Sequence, residues 1–478
     1  MTTIDAAIAV NRFGLGARPG ELAAAAADPR GWLMRQVPDA AAFRLEGADL
    51  PARADAANAL ATFLQSRVVR RELARQQPGA MADGMADGSG QAPEDAEREI
   101  REYTQAIREI AMREIAARSN HGIATSAPFA ERLVHFWSNH FTVAASKLVA
   151  IPFLGLHERE VIRAGMTGTF ADLLLASVRH PAMLIYLDQW QSAGPNSLAG
   201  EFRNLGLNEN LAREILELHT LGPQGGYTQA DVTEFARALT GWTVMSGRLR
   251  RALGIDADDG TFVFVPEMHE PGPRTVLGKT YPAGGEEQAQ AILADLAAHP
   301  STAKQVARQL ARHFVADEPP AAAVAALEDA YRRSGGALPA LHEALVGLPE
   351  AWAPESRKFK TPIEFLLSSL RAVGLPRVEQ RPLLGAHEAL GQMPFRAPSP
   401  KGWPDTAESW SGPDALMKRL EWSQALAERI GDRVRPEDMI AGALGPMLQP
   451  ATRTAVQRAE SAAQGLVLAL MSPEFQRR

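Results

Sequence analysis

The chain has 478 residues, 46% of them hydrophobic and 22% charged, with a formal net charge of −6 and no cysteine. That length and balance describe a globular chain with a large core and exclude wholesale disorder. The mild acidity argues against a nucleic-acid binder, which needs a net basic face, and the lack of cysteine excludes disulfides, thiolate metal sites and cysteine nucleophiles.

The chain starts MTTIDAAIAVNRFGLG, with neither a basic n-region nor an adequate apolar core, and no later stretch approaches the roughly 20 apolar residues that span a bilayer. The expectation is a soluble cytoplasmic protein with no membrane span. NRFGLG has a G-x-G without a third glycine or a preceding strand, a weak nucleotide signature. Leu60, Phe63, Leu64 and Val68, then Ile100, Tyr103, Ile107, Ile110 and Ile115, mark two amphipathic helices. They are expected to form a protruding helical hairpin near 53–119, with a disordered tip near 78–93 where little can be buried. Further helices are read over 128–145 and 172–187, the second interrupted near His180-Pro181. Alternation at Thr261–Val265 and Thr275–Thr280 predicts one small β-hairpin with a long tip. Helices follow over 286–298, 301–316, 320–334, 338–347, 361–373, 413–430 and 452–471, with a long Pro/Trp-rich loop at 396–413. The fold class is mainly α, a large multi-helix single unit over 1–478 with that hairpin near 261–280.

Ionisable residues concentrate in NENLAREILELHTLGPQGGYTQADVTEFARALTGW, residues 208–242. Much of it reads as structural: Asn208 as N-cap, Glu209–Arg213 and Arg213–Glu217 as i,i+4 pairs, Leu211, Ile215 and Leu218 as the buried face. Capping, pairing and burial leave Asn210 and Glu214 unexplained. The next helix has a Thr228/Asp231 capping box and an apolar stripe, and the Leu221–Tyr227 connection is too long for a DNA-binding helix-turn-helix. In HFWSNHF, His135 shares a polar face with Glu131 and Asn139, while His140 falls on the apolar face; on a regular helix the two histidines cannot chelate one ion together. HExxH, P-loop, GxSxG and EF-hand patterns are absent.

NRFGLG, HFWSNHF, the 208–242 block, His269 followed by Leu277-Gly278, RKFKTPIEF at 357–365 and LGQMPFRAPSPKGWP at 390–404 together resemble the bacterial domain of unknown function 1800 family. The resemblance runs in order through nearly the whole chain. It implies one family-wide helical domain and no particular reaction, and relatives often look exported. HEPGPR at 269–274 departs mildly from the family pattern, keeping acid at Glu270 and charge at Arg274.

Two function classes follow. The first is a metal-assisted, hydrolase-like enzyme with a cleft between HFWSNHF, the 208–222 helix, the His269 loop and the 396–410 loop. Its catalytic candidates are Glu214 as general base or ligand, His135, His219, and Arg213 holding an anion. Asn139, Asn210, His269, Lys358, Lys360 and Trp403 are its substrate-binding candidates. His140, Glu214 and His219 would be metal ligands, a mixed imidazole and carboxylate set suited to Zn, Mn or Fe. The alternative is a non-enzymatic interaction or scaffold protein in which the same residues are structural and the arm or the Trp-rich loop docks a partner protein.

Overall fold

The computed structural model describes residues 3–47, 49–66, 94–203, 206–254, 256–355 and 358–478. It is mainly α-helical, as the periodicity indicates. The helices that position the site are α1 (Glu94–Ala124), α2 (Pro128–His140), α3 (Asn210–Glu214), α4 (Gln229–Leu239), α5 (Pro300–Phe314) and α6 (Pro362–Ala372). Among the described residues no helix is long and apolar enough to cross a membrane.

Two large apolar cores hold the helices that position the site. The larger gathers Phe13, Phe129, Trp137, Phe170, Leu239 and Trp242; the second joins Ala6, Val10 and Leu15 to Leu366, Leu370, Leu444 and Phe475. The NRFGLG segment links them, which is its structural explanation. Arg12, 2% exposed, donates to the carbonyls of Ala351, Ala353 and Glu355 at 2.6–2.7 Å, and Asn11 donates to those of Ala7 and Ala443. Gly16 has φ +91°, and a Cβ there would lie 2.6 Å from the Ser368 Cβ, so this tight crossing requires glycine.

The sequence expectations meet the structure unevenly. Glu286–Ala298, Leu338–Gly347 and Pro413–Ile430 form as read. The 452–471 helix is instead two, Pro450–Gln457 and Ala462–Leu470, the second capped by the Ser461 hydroxyl. The strand segments near 261–265 and 275–280 do not pair with each other. β1 (Trp242–Val244) pairs with β2 (Phe262–Phe264), and β3 (Arg274–Val276) with β4 (Lys279–Tyr281), each pair antiparallel. The second pair lies on α4, where the Asp231 carboxylate accepts from the Leu277 N–H at 2.7 Å. Of the anticipated arm, Arg53–Gln65 packs on α1 through Phe63 and Tyr103, rings 6.5 Å apart. The later part of α1 belongs to the body, with Ser119 bonded to His387 at 2.8 Å and Gly122 against Leu367. The 78–93 tip lies outside the described residues.

Among the described residues three helices carry a π turn, at Ala9–Phe13, Glu158–Arg163 and Ile215–His219. Each adds a residue to its turn and buries charged or imidazole groups there: Arg12, the Glu158/Arg163 pair, and His219. The 208–222 segment is therefore not one regular helix, because α3 runs directly into the third of these turns.

Candidate functional site

A cleft of about 690 Å³ opens between α2, α5, the turn after Ile215–His219 and the loop 391–406. Pro128 at the first helical position starts α2, and the helix stops at His140 because Phe141 leaves helical geometry. The α5 helix is amphipathic: Val306, Ala307, Leu310, Ala311 and Phe314 are buried, while Gln305, Arg308, Gln309, Arg312 and His313 line the cleft.

Beneath the cleft lies a buried charge network. Glu131, fully buried on α2, takes two 2.7 Å hydrogen bonds from Arg163, with His135 Nε2 at 3.2 Å and His121 Nε2 at 3.3 Å. Burial would raise this carboxyl, but Arg163 and the two histidines outweigh it and hold it well below the usual range. Glu158 accepts from Arg118 at 2.6 Å, Arg163 at 2.9 Å and Ser138 at 3.0 Å. These cations overcome burial and bring it down to about 2. Across the cleft, Glu364 accepts from Arg132 and lies 3.0 Å from Arg478. Charges this deep stay ionised only because each is paired and hydrogen-bonded.

The 391–406 loop is fastened to α2 by Asn139. Its carboxamide donates to the Trp403 carbonyl at 3.0 Å and accepts from the Trp403 N–H at 2.8 Å. Gly402, at φ +82°, leaves room for this contact, since a Cβ would come within 2.7 Å of the Asn139 oxygens. The same loop brings Asp405 to α5, where His313 Nδ1–H donates to its carboxylate at 2.8 Å. Lys358 lies 3.3 Å from Asp405 and 2.6 Å from Asp317. Burial pushes the Asp405 carboxyl up, but His313, Lys358 and Arg478 together hold it below its usual value. Burial lowers the His313 imidazole in spite of Asp405, so it is neutral at pH 7. Its Nε2, shielded from solvent in the cleft wall, has no hydrogen-bond partner among the described residues.

His140 and His219 are neighbours, ring centroids 6.0 Å apart. His140 Nε2–H donates to the His219 carbonyl at 3.1 Å, and its Nδ1 lies 2.7 Å from the Gln309 carboxamide. Burial drives His140 to about 4, and a neutral imidazole has one proton to give, so the Gln309 carboxamide, placed with its Oε1 toward Nδ1, has to turn its NH₂ there for both contacts to be hydrogen bonds. His219 is 1% exposed with both nitrogens unpartnered among the described residues, and burial beside His140 lowers it to about 3.

The sequence candidates divide. His135, His140, Asn139 and Trp403 all line the cleft. Glu214 is outside that lining; half-buried, it is pushed up by burial and by the charge of Glu217, with Arg213 opposing. Arg213 pairs instead with Glu209 at 3.1 Å and Gln229 at 2.8 Å, and Asn210 is exposed. His269 belongs to the link between the two sheets, its Nδ1–H donating to the Thr240 carbonyl at 2.9 Å. Lys358 and Lys360, both 1% exposed, are internal cations. Lys360 donates to Ser368 at 3.0 Å, and burial lowers it to about 7. Among the described residues no three His, Cys, Asp or Glu side chains are placed to hold a metal ion, so His140, Glu214 and His219 do not form a ligand set. His313 and Asp405 went unread: RQLARHF is an ordinary amphipathic repeat, and nothing local joins it to the aspartate of GWPDT.

The sequence matches, over residues 8–477, the family model described as Protein of unknown function (DUF1800), and the chain belongs to that family. No curated protein and no solved structure matches it.

Proposed function

We propose that this member of the DUF1800 family is a hydrolase working by general acid–base chemistry in the cleft, with His313 as the proton acceptor and Asp405 as the group that orients it. The observation that carries the reading is the dyad: a neutral imidazole held by its Nδ1–H to a half-buried carboxylate at 2.8 Å, with Nε2 left without a partner among the described residues. A carboxylate bonded to Nδ1–H fixes the tautomer that leaves Nε2 free to take a proton, and stabilises the imidazolium that forms. Nε2 would accept a proton from water as the water oxygen attacks an ester, and return it to the departing oxygen as the bond breaks. Because Nε2 is covered in the free protein, substrate binding has to shift the cleft wall enough to reach it. The charge network beneath the cleft fixes α2 and α6 through Glu131 and Arg163 and through Arg132 and Glu364. Metal assistance, the other form of the hydrolase reading, finds no gathered donor set among the described residues.

The test is an assay of the purified protein on a panel of nitrophenyl carboxylate, phosphate and phosphodiester esters beside His313→Gln and Asp405→Asn. Turnover that falls roughly 10²–10⁴-fold in His313→Gln, with the circular dichroism spectrum retained, supports the reading. Absence of turnover on the whole panel, or turnover that His313→Gln leaves intact, overturns it.

The second reading, a non-enzymatic partner-binding protein, is favoured by Leu198 and Phe202. They are 60% and 83% exposed on the short helix Leu198–Arg203. On that reading Phe202→Ser abolishes a partner interaction that His313→Gln leaves unchanged.

A further inference from the structure

The charges lining the cleft fall into two groups. Glu158, Glu364 and Asp405 are each matched in the network beneath it, by Arg118 and Arg163, by Arg132 and Arg478, and by Lys358. Three further cations line the cleft without such a match. Arg308 and Lys401 are exposed and form no ion pair among the described residues. Arg312 donates its Nε–H to the Asp317 carbonyl at 3.0 Å and reaches only the exposed Glu318, 3.9 Å away. Arg308 and Arg312 are one turn apart on α5, hence on one face, and Lys401 comes from the 391–406 loop. Neutral donors accompany them: Gln305 and Gln309 on α5, and Trp403, whose Nε1–H is buried and unpartnered. The remaining carboxylate of the lining is Glu217, which the Tyr227 hydroxyl approaches at 3.5 Å.

We propose that the cleft binds a multiply charged oxyanion of the phosphate type, held by Arg308 and Arg312 from α5 and by Lys401 from the loop, so that the substrate is an anionic ester. This rests on the hydrolase reading for what happens to the ester, but the binding claim stands on the unmatched cations alone. An unmatched cation is strongly hydrated and gains little from surface charge at a distance. Cations focused into one concave site attract an anion far more effectively. A guanidinium also presents paired N–H donors that match two oxygens of a phosphate group. Arg312 adjoins His313 in sequence, so a group held there would be presented beside the dyad.

The test is titration of inorganic phosphate and pyrophosphate into the full-length protein at low ionic strength, followed by calorimetry. Wild type should bind pyrophosphate, and the doubly substituted Arg308→Gln/Lys401→Gln protein should bind it at least tenfold more weakly. Arg453→Gln, which removes an exposed cation outside the cleft lining, should bind as wild type does. His313→Gln should retain the anion. No binding by wild type, or equal weakening by Arg453→Gln, overturns the proposal. The two readings separate cleanly. Anion binding that needs Arg308 and Lys401 without any ester turnover sinks the hydrolase and leaves the anion site standing. Turnover of a neutral ester that needs His313, without anion binding, does the reverse.

Discussion

The carboxamide of Asn139 and the main chain of Trp403 hold each other through two hydrogen bonds, donor to acceptor in both directions. A side-chain amide thus does here what a neighbouring strand does in a sheet, and it is the fastening that lets a glycine- and proline-rich loop deliver Asp405 to His313.

Two substitutions test that fastening. Asn139→Asp keeps an acceptor for the Trp403 N–H but sets a carboxylate oxygen against the Trp403 carbonyl, so it should cost more than Asn139→Ala, which loses about 1–3 kcal/mol. Gly402→Ala combines a left-handed φ with a Cβ 2.7 Å from two oxygens and should cost a similar amount. Urea midpoints measure both, and limited proteolysis should cut each variant faster within 396–410.

Glu131 should be the most costly carboxylate to neutralise. Glu131→Gln leaves Arg163 buried with half of its bidentate partner, and removing one member of such a pair costs about 3–5 kcal/mol. By contrast Arg213→Ala disturbs a half-exposed i,i+4 pair and should change stability by about 0–1 kcal/mol. Chemical denaturation of the two variants side by side should show that contrast; equal effects would mean the network is not what holds α2.

The helices were legible in the sequence because each buries a stripe at helical spacing, and the loop ends because Pro and Gly mark them. HFWSNHF and GWP were legible as site segments, and they do meet, through Asn139 and Trp403. The emphasis on Glu214 came from what capping, pairing and burial left unexplained over 208–222; the π turn at Ile215–His219 follows it, and Glu217 and Leu218 of that turn line the cleft where Glu214 does not. Lys358 and Lys360 read as substrate-binding candidates, and only the fold shows Asp317, Asp405 and Ser368 waiting for them. The His313–Asp405 dyad joins positions 92 residues apart, and no local pattern encodes such a meeting.

Stability should fall as the pH drops from about 6.5 toward 4. Burial lowers His140, His219, His342 and His387 from 6.5 to about 4, 3, 3 and 4. Below 6.5 the unfolded chain takes up a proton at each while the folded chain does not, so protons favour unfolding, by up to about 1.4 kcal/mol per pH unit for each histidine. The depressed carboxyls of Glu131, Glu158 and Glu364 add a further loss that starts near their ordinary value of 4.5 and runs on below it. Urea midpoints taken from pH 8 to pH 4 check this, and a flat profile between 7 and 5 would contradict it.

Glu214 titrates the other way. Burial and Glu217 raise its carboxyl, so its charged form, present at pH 7, is disfavoured in the folded state. Glu214→Gln should therefore raise the thermal midpoint slightly at pH 7 and lose that advantage near pH 4. A drop in the midpoint at pH 7 would instead reveal a stabilising partner for the charge.

The ion pair between Arg132 and Glu364 spans 232 residues of chain. During synthesis at roughly 5–20 residues per second, α2 leaves the ribosome on the order of 10–50 s before its partner carboxylate does. For that interval a guanidinium destined for full burial has the Gly14 carbonyl, already made, but lacks its carboxylate. The last third of the chain thus acts on the timing of folding: it closes a cleft whose other walls have been waiting, and a nascent chain stalled before residue 364 would present that half-built cleft to the chaperones.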